Sequence, residues 1–156
     1  MRAARMGNMK KRKNGFEAAT DNPVEIAARA IAEAKRAFRE RDDLGVRQAA
    51  NKAWLAASSA ADVAAKNMGR KAPGGATGRK DVLEDLEKLA RMKNGTLLNA
   101  FANARLALHG ECFHGDSCPS SHELFGMLDA VQKMTHEAVV ASASTRVQRA
   151  IRARRR

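Results

Sequence analysis

Tyrosine is absent from this 156-residue chain, tryptophan occurs once, and aromatic residues make up only 4%. Strands favour β-branched and aromatic side chains, so this poverty argues against a sheet. Alanine is abundant instead, which suits helices packed closely on helices. No apolar run approaches the roughly 18 residues that a membrane-spanning helix needs. The N-terminus is basic but no apolar segment follows it, which argues against a secretory signal. Two cysteines are too few for a disulfide framework, and a cytoplasmic setting is the expectation. G-x-S-x-G and H-E-x-x-H do not occur, and no paired carboxylates stand out from ordinary helix surface. No cofactor motif is present, and zinc is the one cofactor that the residue types admit.

Acidic residues are missing from both ends of the chain, and that shapes its charge. Residues 1–14 carry Arg2, Arg5, Lys10, Lys11, Arg12 and Lys13. Residues 146–156 carry Arg146, Arg149, Arg152, Arg154, Arg155 and Arg156. These twelve equal the formal net charge of +12, so residues 15–145 are neutral overall. A neutral body with two basic ends suggests arms that reach a polyanion, such as the phosphates of DNA or RNA.

Between the ends, apolar periodicity marks helices. Residues 1–20 are polar and aperiodic, and disorder is expected there. Asp21 or Asn22 can cap a first helix that has Pro23 at its first position. Its stripe is Ile26, Ala30, Ala34 and Phe38. A second helix is expected from about Leu44 to Asn67, carrying Trp54 as a large core residue opposite small alanines. Residues 69–79, rich in glycine, read as a flexible loop. The glycines before Lys80 lack the frame and the preceding strand of a phosphate loop. Short helical patterns follow over Asp81–Arg91 and Thr96–His109. Gly110 offers a stop, and Ser120 or Ser121 can start a last helix. The apolar spacing of that helix continues through Val140, Val147 and Ile151 into the arginines.

The stretch 101–125 holds both cysteines and three of the four histidines. Arg105 and His109 are four apart and share a helix face. His109, Cys112, His114, Cys118 and His122 read H-x2-C-x-H-x3-C-x3-H. Those are zinc-ligand types, but the spacing matches no standard finger. Three functional readings stand here: a metal site, a disulfide or reactive thiol pair at Cys112 and Cys118, and a catalytic or RNA-contacting Arg105/His109 pair. A plainer reading makes His109 a helix cap and the cysteines small apolar residues.

The segments ERDDLGVRQAANKAWLAASSAADVAA (Glu40 to Ala65) and ARLALHGECFH (Ala104 to His114) together resemble the HEPN superfamily, nearest to its archaeal paralogous repeat-element branch. The matching stretches are Asp43 to Ala56 and Leu108 to His114. The resemblance implies an up-and-down bundle of four or five helices, often dimeric. Many members cleave or bind RNA with an arginine and a histidine separated by four to six residues. Arg105 and His109 are the counterparts, with a separation one residue shorter. A histidine that titrates near neutrality and an arginine beside phosphate are the groups that metal-independent RNA cleavage needs.

The resulting expectation is an all-α, HEPN-like bundle of about five helices over residues 21–145. Basic, partly disordered arms flank it at 1–20 and 146–156. The leading function is nucleic-acid binding through phosphate contacts from the arms, with a homodimer or protein assembly as a further partner. The alternatives are an HEPN-type ribonuclease and a zinc-stabilised interaction module.

Overall fold

A computed structural model describes residues 22–156. The expected N-terminal arm, 1–20, with Arg2, Arg5, Lys10, Lys11, Arg12 and Lys13, lies outside the described residues. The described residues form six α-helices, with a π-helical segment between the fourth and fifth, and no strand. The helices are α1 (Pro23–Arg39), α2 (Asp43–Asn67), α3 (Ala76–Ala90), α4 (Leu98–Asn103), α5 (Ser121–Ala143) and α6 (Thr145–Arg154); the π segment spans Ala104–His114.

Local chemistry explains most of the boundaries. The Asn22 side chain accepts from the Val24 N–H, and Pro23 takes the first position of α1, where its missing donor does no harm. Asp42 accepts from the Gly45 N–H and so starts α2. Ser120 and Glu123 exchange hydrogen bonds in a capping box at the start of α5. The loop expected over 69–79 is shorter, because α3 already begins at Ala76 and carries Gly78 inside it. Arg79 anchors this early start by a two-pronged contact with Asp62 of α2, both distances 3.0 Å.

α2 is the centre of the bundle. It packs against α1, α5, the π segment, α3 and α4. Ala49, Ala50, Ala53, Ala56, Ala57, Ala60, Ala61, Ala64 and Ala65 are all buried along it. Small side chains let several helices approach one axis, which explains the alanine content. Larger residues fill the outer layers: Leu83 and Leu86 from α3, Leu108 from the π segment, and Leu124, Leu128 and Met134 from α5. In α1 the buried line is Ala27, Ala30, Ala34 and Ala37, while Ile26 and Phe38 pack at its edge.

Gly110 does not stop a helix. The chain passes through it as part of the π segment, and the Gly110 carbonyl accepts from the Gly115 N–H at 2.9 Å, an i to i+5 bond. The connection expected between a stop at Gly110 and a start at Ser120 or Ser121 therefore shrinks to 115–120. At the other end, the last helix breaks at Ser144, which closes α5 with extended dihedrals and caps α6 through its hydroxyl.

Candidate nucleic-acid interface

α6 carries most of the C-terminal arginines and divides them between two jobs. Val147 is fully buried and Ile151 half-buried, so this side faces the bundle. Arg154 lies on the same side. Its guanidinium meets both oxygens of Asp85 on α3 at 3.1 Å, and Arg70 reaches the same carboxylate. Gln148 donates to the Asn67 and Ser142 carbonyls, both at 2.8 Å, which ties α6 to the end of α2. The Arg155 guanidinium lies over Gly69.

Arg146, Arg149 and Arg152 recur every three residues, and at 100° per residue they occupy the side of α6 away from Val147 and Ile151. All three are exposed and make no hydrogen bond or ion pair among the described residues. Arg156 is exposed beyond the helix end. The six C-terminal arginines are thus not equivalent. Arg154 is committed to Asp85, whereas Arg146, Arg149 and Arg152 form an ordered outward row.

The Cys/His region is a separate construction. Cys112 and Cys118 are joined by a disulfide, which favours one of the three functional readings of that stretch. Both sulfurs are thereby removed from the proposed ligand set of His109, Cys112, His114, Cys118 and His122. Among the described residues no three His, Cys, Asp or Glu side chains converge as a metal site. Cys112 is buried in the core, while Cys118, His114 and His122 are exposed.

His109 does not act as a simple helix cap, since the π segment runs on to His114. Its Nδ1 lies 2.9 Å from the Asn51 Oδ1 on α2. That oxygen can only accept, so Nδ1 is the donor, and in the neutral ring Nε2 keeps its lone pair. The ring stacks with Trp54 and with Phe113, with centroids at 5.5 and 6.0 Å, and His114 meets it edge-on at 4.6 Å. Burial, and then the neighbouring His114, hold its pKa below the ordinary histidine value of 6.5. Arg105 is exposed and lines a different feature, a cleft shared with Lys80 and Leu106. His109 does not line that cleft.

Asn51, Phe113 and Arg47 gave no sequence signal for their roles. Arg47 donates to the Phe113 carbonyl at 2.8 Å and meets Asp116 at 3.3 Å, holding the end of the π segment against α2. Asp85 was equally silent, one acid among many on helix surfaces. No protein-family model, curated protein or solved structure matches the chain.

Proposed function

We propose that this protein binds nucleic acid through its phosphate backbone, with the outward row Arg146, Arg149 and Arg152 as the fixed part of the contact. The observation that carries this reading is the partition of arginines on α6. A helix needing only solubility has no reason to bind one arginine inward to a carboxylate and leave three aligned and unpaired. Arginine presents a rigid fork of donors matched to phosphate oxygens. Because α6 is already folded and docked, these side chains lose less entropy on binding than residues of an unfolded tail. The basic residues Arg2, Arg5, Lys10, Lys11, Arg12 and Lys13 supply a second set of phosphate contacts in this proposal. No base-reading device is invoked, since phosphate contacts carry no sequence information.

The test is a salt series. Each phosphate neutralised on duplex DNA contributes a slope of about −0.9 to log K against log salt. The triple variant Arg146→Ala/Arg149→Ala/Arg152→Ala should therefore flatten the slope by about 3, equally on unrelated sequences. Arg154→Ala should leave the slope nearly unchanged. A triple variant that keeps the parent slope would defeat the proposal.

A second reading, the HEPN-type ribonuclease, draws support from His109 alone. A neutral imidazole with a free Nε2 and a tautomer held by Asn51 is suited to take a proton from a 2′-hydroxyl. It needs Arg105 beside the same phosphate. RNA cleavage abolished by both His109→Ala and Arg105→Ala, with the helical fold retained, would place this reading first.

A further inference from the structure

Lys80 of α3 and Arg105 of the π segment line one cleft of about 330 Å³. Leu98, Phe101 and Leu106 supply apolar walls, and the Asn99 amide lies among them. Clefts of roughly this size and mixed lining hold small organic ligands. Leu106 is 64% exposed, a large apolar side chain left uncovered beside two cations. Neither cation has a hydrogen bond or ion pair among the described residues. Glu84, one turn beyond Lys80, is held instead by Lys88 at 2.8 Å. Two positive charges without a close partner, Lys80 interacting with Glu84 only at longer range, against an aliphatic wall are complementary to one kind of occupant.

We propose that this cleft binds a small amphipathic anion, a carboxylate bearing an aliphatic chain. The carboxylate accepts from the Arg105 fork and from the Lys80 ammonium, contacts stronger than those between neutral groups. The chain covers Leu106 and Leu98 and removes their surface from water. A nucleotide is a poor fit, because Phe101 is only 3% exposed and offers no open ring face to a base. The site is separate from the α6 arginine row and does not depend on nucleic-acid binding.

The experiment titrates decanoate into the full-length protein at low salt and follows the heat, with decanamide as the neutral isostere. A single saturable site is expected for decanoate, with decanamide at least about tenfold weaker. Arg105→Leu and Lys80→Met should each weaken decanoate about tenfold, in line with the loss of a charged hydrogen bond. Leu106→Asp should abolish binding. Lys80 is exposed, so its variant keeps the test valid if Arg105→Leu fails to fold. Equal affinity for decanoate and decanamide would overturn the proposal, as would no saturable binding at about 5 mM decanoate. So would decanoate affinity unchanged in Lys80→Met.

Discussion

Glu87 is a carboxylate buried to 2% exposure near the end of α3, and it makes no ion pair among the described residues. Backbone donors satisfy it instead. It accepts from the N–H groups of Gly95, Leu97 and Leu98 at 2.9, 2.6 and 3.0 Å. α4 has no capping side chain of its own, so Glu87 serves as its cap from another helix. Glu87→Ala would strand three donors, and a loss of about 3 kcal/mol is expected, read from denaturant unfolding. Glu87→Gln keeps an acceptor oxygen and should lose distinctly less. His109 supplies the residue-scale pH effect. Its folded pKa lies below the unfolded value of 6.5, so the unfolded chain takes up the proton first on acidification. The stability held by neutral His109 is therefore present above about pH 6.5 and is lost as pH falls through and below that value. Thermal melts between pH 5 and 7.5 should show this decline, and His109→Phe should flatten it. Neither residue role was legible in the sequence. Glu87 resembles any helix-surface acid until α3 and α4 pack, and His109 lies 58 residues from the asparagine that sets its tautomer.

At the scale of elements, legibility followed the range of the deciding interaction. The start of α1, the span of α2 and the capping box of α5 rest on contacts within four residues, and they can be read from side-chain types. The π segment cannot. Ala104, Leu108 and Cys112 are buried at strict four-residue steps. On an α-helix such a repeat drifts by about 40° per step, and the wider turn changes that drift while all three stay in the core. That wider turn is held from outside, by Arg47 on the Phe113 carbonyl and by the Cys112–Cys118 bond. The local sequence meanwhile offers Gly110 as a stop that the structure does not use. The disulfide closes a short loop, and chain-entropy arguments give it about 2 kcal/mol. Treating the folded protein with dithiothreitol should lower its melting temperature accordingly, and Cys112→Ser/Cys118→Ser should reproduce that loss with no further effect of reductant. A thiol assay on unreduced, denatured protein that finds two free thiols would reject the bond.

For the whole molecule, charge and packing meet on α6. The sequence places twelve uncompensated cations at the two ends, but it does not distinguish a loose arginine tail from a docked helix. Asp85 and Gln148 make that distinction. The first draws Arg154 and Arg70 together, and the second bridges two carbonyls on neighbouring elements. The consequence is that truncation and substitution must give different answers. Ending the chain at Ser144 removes Val147 from the core, a loss of about 2 kcal/mol for one buried side chain, and the two Gln148 bonds, about 1 kcal/mol each. Such a protein should unfold about 4 kcal/mol more easily and, if the proposed function holds, lose nucleic-acid binding for two reasons at once. Arg146→Ala/Arg149→Ala/Arg152→Ala removes charge from the outer side alone. Its unfolding free energy from urea titration should stay within about 0.5 kcal/mol of the parent, while on the proposed function its affinity for duplex DNA falls and its salt slope flattens. Deleting residues 1–14 takes away six cations and none of the described packing, so it too should leave stability unchanged and flatten the slope, by about 5 if all six reach phosphate. Unfolding and binding measured on these three proteins separate the structural role of α6 from its electrostatic one. A point-substituted α6 that destabilises as much as the truncation would mean that the outward arginines serve the fold and not a polyanion.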